Sequence, residues 1–412
     1  MRNIAAKQES YDNSIPSIRR LRITVGGKQV ETPTRVLSLK DAGSESRLIK
    51  NVEGRGINEI YRIINTKTIE EIDKDKNKLN DYGRKLRHIF EKVNREKELT
   101  YLVFSFDNRG FEYNAGSLPS SKEIDYLCNI ISNPYNEIII PPRIPSVSGE
   151  NYIKFLEDFF LNLKSYNDRA PIMGFLPFVA SHEFQQLIEF YFKKGVTAYL
   201  MDFEGNNPID NYILVNLLQR ASKRITKEFK EDTYLTALNV PFTRIKQKIN
   251  VTPAKDIITF AMGFDSYASS HIPQKLPLKV IMEIKKRKSA TTTLNYRRPS
   301  SMLSASAIQF DEPGVFRIFN RRDYGYYRSD IANVSSIINF ESTDNELNDL
   351  FNENYSENKL RSIRKAFNVQ QQVQESVVLR NKILENSNMK YLETKSHARD
   401  NVKHVTRMMG LS

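Results

Sequence analysis

The chain has 412 residues, 62 Lys and Arg against 49 Asp and Glu, a formal net charge of +13, one cysteine and no tryptophan. At 40% hydrophobic and 27% charged residues the composition is globular, not disordered. The lone Cys128 excludes a disulfide scaffold and a cysteine zinc cluster. No apolar run reaches the roughly 18 residues of a membrane span, and the opening MRNIAAKQESYDNS lacks the apolar core of a secretory signal. A cytoplasmic protein with no membrane association is expected.

In chain order, residues 1–19 read as a loose polar arm. RLRITVG (Arg20–Gly26) alternates as a short strand closed by Gly26-Gly27. RVLSL (Arg35–Leu39) is a further strand candidate, and KTIEEIDKDKNKLNDYGRKLRHIFEKV reads as helix. A rhythm of apolar runs then begins: Tyr101–Phe106, Glu137–Pro141, Ile172–Val179, Thr197–Phe203, Tyr234–Val240 and Ile257–Phe264. Amphipathic segments separate them at Lys122–Ile131, Asn151–Leu163, His182–Lys193 and Ile209–Phe229. Strands buried on both faces and alternating with helices indicate a parallel sheet. The number of units predicts an α/β fold, a (β/α)8 TIM barrel with an N-terminal strand extension and a C-terminal helical region. No glycine-rich dinucleotide fingerprint follows any strand, which weakens the doubly wound alternative. The barrel is assigned to residues 20–330. Residues 331–412 are a mostly helical region, either an appended module or a helix packing back on the barrel.

Positive charge is concentrated. Between Lys275 and Arg298 lie eight cations, among them Lys285, Lys286, Arg287, Lys288, Arg297 and Arg298, against the single anion Glu283. The stretch RIFNRRDYGYYR (Arg317–Arg328) mixes four Arg with three Tyr. Arginine neutralises phosphate and aromatic faces stack on exposed bases, so both segments are expected to contact nucleic acid, tRNA or DNA.

Barrel enzymes work at the carboxyl ends of their strands. That rule selects Asp107 with Phe111 and Glu112, Gly174, Asp202 with Glu204, Asn239, and Asp265. Three aspartates gathered at one rim could divide nucleophile and acid/base roles. The five His form no spaced ligand pair, and His271 reads as a surface residue that could also line the site. No G-x-S-x-G elbow or phosphate loop is present, and neither a metal nor a cofactor is expected.

Phe106–Glu112 (FDNRGFE) resembles the D-S-G-G-F-Q loop of the tRNA-guanine transglycosylases, which are (β/α)8 barrels that exchange an encoded guanine for a 7-deazaguanine base. Arg22–Pro33 (RITVGGKQVETP) resembles that family's opening strand, Met173–Phe178 sits where it has G-I-V-Q-G-G, and Asp256–Ser270 is similar to the strand ending G-x-D-x-F-D. The likeness spans about residues 20–330 in order. It implies a covalent aspartyl-ribosyl intermediate with Asp265 as nucleophile, Asp107 as acid/base, and Asp202, Gly174 and Phe111 around the base. Aligning Gly263 with the family glycine instead puts Ala268 at the nucleophile position. Pro177 stands at the base-reading glutamine, Pro141-Pro142-Arg143 replaces an expected aspartate, and no cysteine follows Tyr327. The resemblance thus implies either a divergent transglycosylase or a non-catalytic nucleic-acid-binding subunit, as a homo- or heterodimer.

Overall fold

The computed structural model describes residues 3–13, 17–39, 56–91, 97–108, 117–133, 135–166, 170–241, 249–271, 315–338 and 344–408. Phe111, Glu112 and the basic stretch containing Lys285, Lys286, Arg287, Lys288, Arg297 and Arg298 lie outside the described residues.

The fold is mixed α/β with parallel sheets at its centre. The long strands come from sequences without polar alternation. All eight residues of Leu99–Phe106 are buried, as a strand covered on both faces must be. This strand pairs in parallel with Ile57–Ile64, Ile57 opposite Leu99 through Ile64 opposite Phe106. Ile57–Ile64 in turn pairs with Leu37–Ser38. A second parallel sheet has the order Thr34–Arg35, Ser266–Ser269, Tyr234–Val240, Ala198–Asp202, Gly174–Leu176. Between the sheets at one side stands only Val36, whose N–H donates to Tyr267 O while Leu39 N–H donates to Glu59 O. At the other side residues 138–143 bridge both sheets. Tyr101 pairs with Ile138, Ser105 with Arg143, and Ile139 with Ile172, all in parallel.

Helices follow the strands and start on polar caps. Asn65 caps Thr66–Lys74, and Ser120 with Glu123 forms a capping box on Ser121–Ile131. The helix read across Lys67–Val93 is two helices, Thr66–Lys74 and Lys76–Phe90, because Asp75 is extended and caps the second. The Ile257–Phe264 run is not a strand. Ile257–Met262 forms a buried 3-10 helix ended by Gly263 at φ +84°, and the strand begins only at Ser266.

The N-terminal arm is also ordered differently from expectation. Ala5–Tyr11 is a strand antiparallel to Arg19–Val25, which pairs with Lys28–Glu31. This sheet lies against residues that precede the parallel strands. Gln8 N–H donates to Asp232, Arg19 to Thr233 O, and Lys28 Nζ to Glu98 O at 3.1 Å. It therefore covers the amino ends of the parallel strands.

The long C-terminal helix Glu357–Leu384 packs on the centre of the fold. Arg35 Nε donates to Gln372 Oε1 at 2.9 Å, and Arg380 Nε to Pro33 O at 3.1 Å. Asn368 accepts from Phe319 N and donates to Arg317 O, docking the hairpin Arg317–Asn320/Gly325–Arg328. The Arg/Tyr stretch expected to face nucleic acid is consequently interior. Arg317, Phe319, Tyr324 and Tyr326 are buried, and Arg317 donates to Ile249 O at 3.0 Å. Among the described residues no helix is long and apolar enough to cross a membrane.

Candidate active site at the carboxyl ends of the strands

Polar side chains from six neighbouring strand segments meet toward the carboxyl ends of the parallel strands, Glu59 and Tyr61 joining from within Ile57–Ile64. Arg143 is the hub. Its Nε donates to Asp202 Oδ2 at 2.5 Å, NH1 to Ser105 Oγ at 3.2 Å and NH2 to Glu204 Oε1 at 2.7 Å. Asp202, the last residue of its strand, also accepts Asn239 Nδ2 at 2.7 Å and Glu204 N–H at 2.9 Å. Asn239 Oδ1 accepts the N–H of His271 at 2.8 Å. The His271 ring pairs through Nε2 with Glu59 and lies flat on Tyr61, 4.3 Å between centroids and 8° between planes.

The backbone is bent to make these contacts. Glu204 and Asn239 hold φ of +48° and +57° at the ends of adjacent strands. Asn tolerates this left-handed region and Glu does so at a cost, a form of strain that clusters at working sites. Gly205, also left-handed, lets its N–H reach Asn239 O at 3.1 Å, which locks the two strand ends together.

Electrostatically the cluster is lopsided. Among the described residues, Asp202, Glu204 and Glu59 supply three carboxylates against the guanidinium of Arg143. Burial works against the Arg143 charge, but Asp202, Tyr61 and Glu204 outweigh it and raise its pKa. Burial also pushes the Tyr61 phenol up to about 12, so Tyr61 remains a neutral donor at physiological pH. Among the described residues, no group of three or more His, Cys, Asp and Glu could hold a metal ion.

The residues singled out from sequence fall in different places. Asp202 lies at the heart of the cluster. Asp107 is half-buried at the end of its strand, where its N–H donates to Ile64 O at 2.8 Å. The adjoining Asn108 bonds Thr66 N and Oγ1, both at 3.0 Å, fixing this rim. Gly174 has a packing role instead of a place at the base. A Cβ there would meet the Tyr191 ring of helix Ser181–Lys193 at 3.1 Å, so glycine is what lets that helix seat on the strand.

Asp265 is the principal correction. Because the preceding run coils into a 3-10 helix, Asp265 stands just before its strand, not after it. Its N–H donates to Leu235 O and its Oδ2 accepts Leu235 N–H, both at 2.8 Å. Asp202 instead faces Leu238, three residues further along that neighbouring strand, ~10 Å at 3.3 Å per residue. Asp265 is buried beneath the N-terminal sheet in a bidentate pair with Arg19, both bonds 3.0 Å. Burial holds its carboxyl above the ordinary range, with Arg19 pulling the other way. It is a clamp between sheets, remote from Asp202.

Sequence reading reached Asn239 by its strand end but missed Arg143, Glu59 and Tyr61, and favoured a surface position for His271. A cation directly after Pro141-Pro142 at a strand end was the available signal for Arg143. Nothing local marks Glu59 or Tyr61, which join the cluster only through strand pairing.

No protein-family model matches the chain, and no curated protein matches it in sequence. Among solved structures the chain is similar to a single-residue variant of the carboxyl transferase domain of Rhizobium etli pyruvate carboxylase with pyruvate, at 8% identity and a TM-score of 0.36. The match covers 90% of this chain and 57% of that one, so the chain spans little more than half the length of that neighbour.

Proposed function

We propose that the two parallel sheets are arcs of one closed (β/α)8 barrel, and that the chain is a transglycosylase-like barrel that binds tRNA or DNA at its carboxyl-end mouth. Support for closure comes from the continuous pairing through Val36 on one side and residues 138–143 on the other. The helix Glu357–Leu384 then covers the first strand as the last helix of such a barrel does. Support for a polyanion partner comes from the net charge of +13 and the basic block at Lys275–Arg298.

The observation that carries the reading is the convergence of Arg143, Asp202, Glu204, Asn239 and His271 at the strand ends. Carboxylates and amides in that position suit the N–H edges of a base turned out of its strand. The covalent route through Asp265 is not retained, since that carboxylate is held by Arg19 at the other end of the strands. The same seclusion favours a second reading, a binding subunit that supports a catalytic partner.

The test is a mobility shift with unfractionated tRNA and with single- and double-stranded DNA across a salt series. The reading predicts affinity falling steeply and linearly in log–log form as salt rises. Salt-insensitive or absent binding to all three would overturn it.

A further inference from the structure

The Glu59–His271 pair has the makings of a proton-handling dyad. Glu59 is fully buried and His271 is 10% exposed. The ring is fixed three ways: Glu59 on Nε2, Tyr61 stacked on its face, and the backbone N–H tied to Asn239. Nδ1 carries no hydrogen bond among the described residues, so one ring nitrogen is oriented by a carboxylate while the other is left to face a reactant. The second Glu59 oxygen, Oε2, is buried without a partner, and so are Ser38 Oγ and Tyr101 OH. These three residues stand opposite one another on adjacent strands, Ser38 against Glu59 and Glu59 against Tyr101, and so project to one face. Three polar atoms of this kind suit a bound water or substrate hydroxyl.

The surrounding charge selects the chemistry. Among the described residues the cluster sets three carboxylates, Asp202, Glu204 and Glu59, against the guanidinium of Arg143, a balance that favours a transition state gaining positive charge. Cleavage at an anomeric carbon, through an oxocarbenium-like state, belongs to that class. We propose that His271, oriented by Glu59, is the general base for hydrolysis of an N-glycosidic bond, which rests on the reading that a nucleoside reaches this mouth. Nδ1 takes a proton from water as the water oxygen bonds to C1′. The C1′–N bond breaks and its electron pair leaves with the base, whose nitrogen then receives that proton from His271. The products are a free base and a sugar hydroxyl. No protein nucleophile is required, and Ala268 in the strand Ser266–Ser269 offers none.

The experiment incubates the full chain with tRNA, with single-stranded DNA and with 4-nitrophenyl β-D-ribofuranoside in 18O-water, and measures released base or nitrophenol and the isotope at C1′. The proposal predicts turnover of at least one probe with 18O entering the sugar. His271→Gln should lower the rate about 100-fold, and Glu59→Gln should lower it by a smaller factor. Wild-type turnover with labelled sugar supports the proposal even where a variant fails to fold. Salt-dependent binding without turnover of any probe would overturn it and leave the binding reading standing. Turnover unchanged in a folded His271→Gln protein would overturn the assignment of the base. Failure of binding together with turnover of the riboside would instead remove the nucleic-acid reading alone.

Discussion

The pairs Arg143–Asp202 and Arg19–Asp265 show how the same residue types take different roles according to which end of a strand they occupy. Arg143 sits among three acceptors, and its removal would leave Asp202 buried with its strongest partner gone. Arg143→Met is expected to cost about 3–5 kcal/mol of stability, measured by urea unfolding. Asp265→Asn should also destabilise, by about 3 kcal/mol, because it strands Arg19. It should leave nucleic-acid affinity within about twofold, on the scale where 1.4 kcal/mol is tenfold, since the clamp is remote from the carboxyl ends of the strands. Asp256 offers a pH test. It is buried, accepts Tyr326 OH at 2.8 Å and Gln372 Nε2 at 2.7 Å, and leaves Oδ1 without a partner. Burial raises its pKa from 3.8 to about 6. The folded state thus holds the proton more tightly than the unfolded chain. Stability from this group is complete below pH ~4 and is lost as pH rises through about 6. Asp256→Asn should flatten that slope and stabilise the protein at neutral pH by up to about 3 kcal/mol, read from denaturation curves at pH 4, 5, 6 and 7.

At the scale of elements, the runs that announced themselves were those whose geometry is uniform along their length. Tyr234–Val240 and Tyr101–Phe106 read as strands because mostly apolar runs of that length suit a strand covered on both faces, and the structure extends the second to Leu99–Phe106. The same logic failed at Ile257–Phe264. A segment buried on every side carries no period, so its 3-10 coil was invisible, and the error of a few residues moved Asp265 from one end of the sheet to the other. Gly263 enforces the turn that follows. At φ +84° it is strained for any L side chain, and a Cβ would meet Gln219 Nε2 at 2.5 Å. Gly263→Ala is expected to lower stability by on the order of 1–3 kcal/mol, seen as a lower thermal midpoint. The Arg/Tyr stretch at Arg317–Arg328 misled for a related reason. Its composition suits a phosphate-binding face, yet Arg317 spends its donors on Tyr326 O, Ile249 O and Thr252 Oγ1, and Arg328 pairs with Asp330.

For the whole molecule, the α/β character was legible and the site was only partly so. Asp202 could be placed by its strand end. Glu59, Arg143 and His271 lie far apart in the chain and converge only when the strands pair, which no local pattern encodes. The C-terminal helix is likewise part of the centre of the fold. Leu37 and Ile318 share a buried cluster with Ile363, Ala366, Phe367 and Val373 of that helix. A chain ending at residue 330 would expose this cluster along with the outward faces of the strands it covers. It is expected to lose cooperative unfolding altogether, as measured by calorimetry.

The central claim is that the working face lies at the carboxyl ends of the parallel strands, with the N-terminal sheet as the closed end. Photo-crosslinking with tRNA and single-stranded DNA carrying 4-thiouridine or 4-thiothymidine, followed by mass-spectrometric mapping, tests it directly. The account predicts adducts on the segments that follow the strands, around Thr66, Asp107, Glu204, Pro241 and His271. Adducts confined to the N-terminal sheet at Ala5–Glu31, beside Arg19 and Asp265, would contradict it.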